Sequence, residues 1–286
     1  MQLDIFAQKA VTEALESHNP PFSLAMFTFE KISYILFACH HCVYDGYAMG
    51  RLLYEIERLY REESLPSPTK YEPFLHHMLA TRTQSADAYW RNHLRGLNPV
   101  TFRSTKASSQ PRNNTDHGAV FHRCLNMPLN TIESKSQAMS FSLLSMLQTA
   151  WVKVLAVVTQ HSDICFGNVV SGRTASTEDI DRLVAPCFNT LPVRVELYRH
   201  STNSDLTKAL QKFNTSSVPY HLYPLKKIQS QLGYGGIGIF DTLFLLQQNA
   251  YHLDENIWTL REDAGDMDVS AYTSNHGESL IVSSSL

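Results

Sequence analysis

The sequence predicts a mixed α/β fold of the α+β kind, arranged in two lobes, and three observations carry that prediction. Short apolar runs of strand length alternate with segments whose apolar residues recur at helical spacing. A polar stretch over 103–117, rich in Ser, Asn and charge, divides the chain. The second half then repeats the strand-and-helix grammar of the first. With 286 residues, 43% of them hydrophobic and 18% charged, the chain has the material for a sizeable core.

The elements follow in order. Leu3, Phe6, Ala7, Ala10, Val11 and Leu15 fall on one helical face, predicting an amphipathic helix over residues 3 to 17 that stops at Asn19-Pro20-Pro21. Residues 23–28 and 32–39, rich in aromatic and aliphatic side chains, predict two strands, and the second runs directly into His40-His41. After Gly46 the period changes: Met49, Leu52, Leu53, Ile56, Leu59 and Tyr60 mark a helix that ends at the polar, proline-containing loop Glu62 to Lys70. Another helical segment carries Tyr89-Trp90 and Leu94. Beyond the polar stretch, Leu143, Leu144, Leu147, Ala150, Trp151, Val154, Leu155 and Val158 form the wide apolar stripe of a core helix. Strands are predicted at 163–170, at 191–198, where Leu191, Val193, Val195 and Leu197 alternate, and at 240–247. Arms at 267–273 and 279–283, joined through Asn275-His276-Gly277, predict a closing hairpin. The domains predicted are an N-terminal lobe over 1–102, a linker over 103–117 and a C-terminal lobe over 118–286.

Composition narrows the function classes. A net charge of −3 with scattered Lys and Arg supplies no electrostatic footprint for nucleic acid or for an anionic membrane. No run approaches the ~18 apolar residues of a membrane span, and the N-terminus lacks the basic start and apolar segment of a secretory signal, so a cytoplasmic protein is expected. Cys39, Cys42, Cys124, Cys165 and Cys187 are thinly spread and read as reduced thiols.

The densest chemistry lies in His40-His41-Cys42-Val43-Tyr44-Asp45-Gly46. Successive side chains of a regular strand point to opposite faces, so one histidine addresses a cleft and the other supports it. His41 is the residue expected to work. A neutral imidazole can take a proton from an attacking amine or hydroxyl, or hold that nucleophile, because its ordinary pKa lies near working pH. Asp45 suits a supporting role, accepting backbone N–H bonds or pairing with an arginine to fix the loop, and Gly46 permits the close turn into the helix. Two rival readings stand beside this one: a pair of ordinary strand histidines, and a zinc or redox site in which Cys39 and Cys42 frame the pair as C-H-H-C. Against the metal reading, no second CxxC or HxxxH cluster completes a ligand set, and no metal is expected. Gly233-Tyr-Gly235-Gly236-Ile-Gly238 satisfies GxGxxG, but a strand follows where the dinucleotide fingerprint needs a helix.

HHxxxDG is the signature of the condensation domains of nonribosomal peptide synthetases, and further segments resemble that family in order and spacing. Tyr89-Trp90 with Leu94 resembles its YWxxxL helix, and the helix containing Ala150-Trp151 resembles another of its segments. Phe166-Gly167-Asn168-Val169-Val170-Ser171-Gly172-Arg173 is similar to its FGxxVSGR stretch, Asn189 through Val195 to its NTLPVRV motif, and Phe240 through Phe244 to its channel-bordering strand. The wording around Tyr44 further resembles fungal synthetases, including those of hydroxamate siderophores. The resemblance implies a chloramphenicol acetyltransferase-like fold of two lobes with a tunnel between them, and His41 midway along it. It implies amide formation between an acyl or peptidyl thioester and the amine of an acceptor. Both would be carried on phosphopantetheine arms of peptidyl carrier proteins, alongside an adenylation domain, with no cofactor bound directly. Ser171, Gly172, Arg173 and Asn189 would lie near the tunnel, Arg173 as an anchor or as a structural ion pair. Epimerisation domains and acyl-coenzyme A transferases share the motif or the superfamily, and a carrier-docking remnant without turnover is the non-enzymatic alternative. Family members have a longer segment before the histidine pair than the 39 residues here, so the first lobe is expected to be incomplete and the C-terminal lobe truncated.

Overall fold

The computed structural model describes residues 22–29, 32–39, 41–99, 125–174, 176–200, 202–233, 238–247, 251–254 and 256–257. The helix predicted over 3–17, the linker 103–117, His40, Gly235, Gly236 and the closing hairpin lie outside these residues. The described residues fall into two compact units: one drawn from Met1–Tyr71, Asp181–Cys187 and Asn249–Ala271, the other from Glu72–Ile180 and Phe188–Gln248.

In the first unit, strands β1 (Phe22–Phe29) and β2 (Ile32–Cys39) pair antiparallel, from Phe22 opposite Cys39 to Phe29 opposite Ile32. Helix α1 (Gly46–Tyr60) follows, and Arg51 reaches Glu55 one turn on at 2.8 Å. Its outer surface is covered by a strap from far along the chain. The Tyr251 ring lies over Tyr54 and meets Tyr47 edge-on, at centroid distances of 5.2 and 5.6 Å. The Asp254 amide donates to Glu57 Oε2 at 2.9 Å, and Arg61 bridges the Glu57 and Asp254 carboxylates. Gly50 lies under this strap, where a Cβ would come within 3.3 Å of the Tyr251 ring.

The second unit is built on a sheet ordered β4-β3-β5, with β3 (Asp163–Val170) between antiparallel β4 (Asn189–Glu196) and parallel β5 (Leu243–Phe244). Side chains of these strands feed two cores, and along β3 the division follows strand alternation. Cys165 and Leu191 join Trp90, Leu94, Tyr223 and Ile228 in one. Ile164, Phe166, Val193 and Val195 join Val152, Leu155, Leu206 and Leu210 in the other. The helices on these faces are α3 (Gln84–His93), α5 (Leu143–Thr159), α6 (Asn203–Ser217) and α7 (Leu225–Gln231); α2 (Glu72–Ala80) and α4 (Leu129–Ala138) complete the described helices. Gly167 is required at the centre of β3, because a Cβ there would come within 2.5 Å of the Phe240 ring and 2.6 Å of Leu243.

Two polar devices tie the layers together. Gln148 on α5 donates to Asn168 of β3 at 3.1 Å and accepts from Asn214 of α6 at 2.8 Å, so three elements share one buried network. Arg194 on β4 presents its fork to Asp163 at 2.9 and 2.7 Å and donates to the Arg95 carbonyl at 2.5 Å, just past the end of α3. His93 closes that corner by accepting the Arg194 amide at 3.3 Å.

The strand predicted over 191–198 runs from Asn189 to Glu196, because Leu197–Arg199 winds into a 3-10 turn. The run 240–247 pairs only at Leu243–Phe244, since Ile239 and Phe240 pack into the core around Trp90.

Candidate functional site

The HHxxxDG segment is built by a strand, a tight turn and a helix cap. Strand β2 ends at Cys39 and His41 opens a 3-10 turn through Val43, so strict strand alternation does not extend to His41. Asp45 follows in extended conformation, at φ −122° and ψ 173°, and is the N-cap of α1, whose first residue is Gly46. Asp45 is 5% exposed. Its Oδ1 accepts the Ala48 amide at 2.7 Å, satisfying one of the donors that a helix start leaves open. Its Oδ2 accepts the amide of Cys187, 142 residues away in sequence, at 2.9 Å. Of the two supports expected for Asp45, backbone N–H bonds or an arginine, the first is seen, from Ala48 and Cys187. On either side of the histidine pair Cys39 is partly buried, which raises its thiol pKa, and Cys42 is exposed.

The segment Asp181–Cys187 is held against this motif by side chains that the sequence did not single out. The Tyr47 hydroxyl donates to the Asp181 carbonyl at 3.2 Å, Arg182 donates to the Ser67 carbonyl at 2.8 Å, and Tyr71 donates to the Pro186 carbonyl at 3.1 Å. Leu183, Ala185 and Cys187 are buried. No local pattern marks these residues, because each bond spans more than a hundred positions.

The other predicted site residues belong to the second unit. Ser171-Gly172-Arg173 leaves β3 in a bend where Gly172 has φ +67°, a conformation that favours glycine, and the Arg173 amide donates to Ser171 Oγ at 3.4 Å. Asn189 opens β4 opposite Val170, so it lies at the same end of the sheet as Ser171. Its side-chain amide donates to the carbonyls of His221 and Tyr223 at 2.7 and 2.8 Å, fixing the turn before α7. Burial lowers the His221 pKa to about 4, and its Nε2 lies 3.3 Å from Ser217 Oγ. His41, Asp45 and Gly46 are therefore grouped in one unit, and Ser171, Gly172, Arg173 and Asn189 in the other. Among the described residues no group of three or more His, Cys, Asp and Glu could hold a metal ion. Among the same residues no single helix is long and apolar enough to cross a membrane.

The fold is that of the chloramphenicol acetyltransferase-like class. It is similar to the condensation domain from the Monacolin K polyketide synthase MokA, at a TM-score of 0.61 and 16% identity over 84% of this chain and 60% of that one. The X-domain from teicoplanin biosynthesis is equally similar in fold, at a TM-score of 0.61 and 14% identity over 84% of this chain and 58% of that one. Residues 2–280 match the Condensation domain family, and the chain belongs to it: a family of amide-forming acyltransferases of nonribosomal peptide synthetases. Similar fungal proteins include Nonribosomal peptide synthetase 2 of Gibberella zeae, 39% identical over 91% of this chain, and Nonribosomal peptide synthetase SIDC of Beauveria bassiana, 38% identical over 91%. The hydroxamate-type ferrichrome siderophore peptide synthetase of Schizosaccharomyces pombe is 26% identical over 89%. The chain spans 5% of the length of each of these three relatives.

Proposed function

We propose that this chain catalyses amide formation between a carrier-bound acyl or peptidyl thioester and the amine of a carrier-bound acceptor. Condensation domains work with phosphopantetheine arms presented by carrier proteins, and here both arms are substrate, with peptidyl carrier proteins and an adenylation domain of the same synthetase as partners. The acceptor nitrogen attacks the thioester carbonyl carbon, the C–S bond breaks, and the phosphopantetheine sulfur leaves as a thiol. His41 takes the ammonium proton that develops on the attacking nitrogen or holds the amine in place, and the sulfur is protonated as it departs. Much of the rate gain comes from holding two tethered reactants at reacting distance.

The observation that carries this reading is Asp45. Its carboxylate is buried and both oxygens are bonded to backbone amides, as expected of a group that fixes the turn presenting His41. His40 would have the supporting role, and Gly46 opens the helix that follows the turn. On the second unit, Ser171-Gly172-Arg173 would border the substrate tunnel, and Asn189 would shape it by holding the 221–223 turn. The lobes proposed from the sequence, 1–102 and 118–286 with a linker over 103–117, do not coincide with the two compact units, since the second of these takes in Glu72–Ile180. The similarity to the hydroxamate-type ferrichrome siderophore peptide synthetase supports a hydroxamate siderophore as product of the whole synthetase, and a cytoplasmic location is proposed with it.

The test is His41→Ala within the intact synthetase, with both carriers loaded. Amide product is expected to fall by roughly 10²- to 10⁴-fold, the usual contribution of a positioned acid or base; unchanged product sinks the assignment. Deuterium washout from the donor α-carbon would mark an epimerisation domain instead. Turnover of free coenzyme A thioesters would mark an acyl-coenzyme A transferase, and carrier binding without product a docking module.

A further inference from the structure

The bonds made by Tyr71 and Asp45 end on one and the same peptide unit. The carbonyl of Pro186 and the amide of Cys187 are the two ends of a single planar group, and in a trans peptide they point in opposite directions. Tyr71 donates to the carbonyl end at 3.1 Å, while the amide end donates to Asp45 Oδ2 at 2.9 Å. Asp45 Oδ1 in turn accepts the Ala48 amide at 2.7 Å. An unbroken series of hydrogen bonds therefore runs from a phenol, through one peptide plane and one carboxylate, to the start of the helix that follows the His41 turn.

We infer that Tyr71 is a positioning residue for His41, acting through the 186–187 peptide and Asp45. Three features support it. A hydrogen bond received at the carbonyl polarises the peptide and strengthens donation at its N–H end, so the phenol tightens the bond to Asp45. The clamp is shielded from competing water, since Cys187 is 2% exposed. The flanking residues are fastened as well, with Asp181 held by Tyr47 and Arg182 held to Ser67, so the peptide cannot drift along the segment without breaking other bonds. Without the phenol the peptide plane can rock about its flanking torsions, Asp45 loses its fixed second donor, and the turn from His41 to Val43 gains a freedom that a reacting geometry does not tolerate.

The inference rests on the proposed acyl transfer, so its test has one readout that needs no turnover. In the intact synthetase, Tyr71→Phe removes the hydroxyl and keeps the ring. Hydrogen-exchange mass spectrometry is expected to show the peptide containing Cys187, and the one spanning residues 42–50, exchanging roughly fivefold to tenfold faster, the loss of one partly buried hydrogen bond. In the condensation assay kcat is expected to fall by a similar factor, with KM for both loaded carriers unchanged. Combined with Asp45→Asn, the loss in kcat is expected to be smaller than the product of the two single losses, because both substitutions break one series. Tyr198→Phe, which removes an exposed hydroxyl bonded to Glu196, serves as the control. Unchanged exchange in Tyr71→Phe overturns the clamp. Faster exchange with unchanged kcat overturns its positioning role. A wild-type enzyme that forms no amide sinks the function proposed above, and the exchange result still decides whether the clamp exists.

Discussion

Replacing Asp45 with alanine strips the acceptor from two buried amides, those of Ala48 and Cys187. Loss of the helix cap, the bond from Ala48, costs about 1 kcal/mol, and loss of the bond from the buried Cys187 amide adds about 1–3 kcal/mol. Asp45→Ala is therefore expected to lower folding stability by about 3 kcal/mol in urea unfolding. Asp45→Asn, which keeps one carbonyl oxygen, should lose less. Equal losses for the two variants would show that charge, not acceptor geometry, holds the turn. The cap was legible at the outset, since an Asp ahead of Gly46 and an apolar helical run marks a helix start. Its second donor was not, because nothing local links position 45 to position 187.

At the scale of elements, the packing of α3 on β4 carries a pH dependence. The His93 ring stacks on Phe213 at 4.5 Å and accepts the Arg194 amide. Burial, helped by the nearby Arg194 charge and opposed by a bond with the Pro192 backbone, lowers its pKa from 6.5 to about 4. His93 is thus neutral in the folded chain at pH 5, whereas in the unfolded chain it is mostly protonated. Its contribution is complete above the unfolded pKa and is lost as pH falls from about 6.5 towards 4. Between pH 7 and pH 5 the cost is about 2 kcal/mol. His221, lowered to about 4 by burial, acts with the same sign. Urea melts at the two pH values should show the loss, and His93→Gln should flatten the slope; an equal slope in that variant removes His93 as the cause.

Elements were legible where period and length agreed. The apolar stripe from Leu143 to Val158 became α5, and the runs over 23–28 and 32–39 became the hairpin of β1 and β2. The sequence also held signals for α6 that were not read: Leu206, Leu210 and Phe213 at helical spacing, behind the capping box of Thr202 and Asp205. The 240–247 run misled for a different reason. Its hydrophobicity reflects residues that fill the core between helix and sheet, and only two of them enter the ladder.

For the whole molecule, a chain that divides into two compact units is expected to unfold in more than one step. Trp90 and Trp151 both lie in the second unit, so a Trp258→Phe variant makes fluorescence a probe of that unit alone. Exchange protection of Gly46–Tyr60 reports the other. The two midpoints in urea are expected to differ; coincident midpoints would show that the units unfold as one.

The peptide that clamps Asp45 also bears on how such chains can be spliced. Asp45 and Tyr71 are separated from residues 186 and 187 by more than a hundred positions, so any exchange of genetic material with a junction between 72 and 180 gives the motif a foreign partner segment. Both groups supplied by that segment are main-chain atoms, a carbonyl and an amide. A donor sequence therefore needs no matching side chain to complete the bonds, only a residue other than proline at 187 and a backbone that follows the same path. Recombination, natural or engineered, can in this way replace the residues beyond such a junction while Asp45 keeps both of its amide donors.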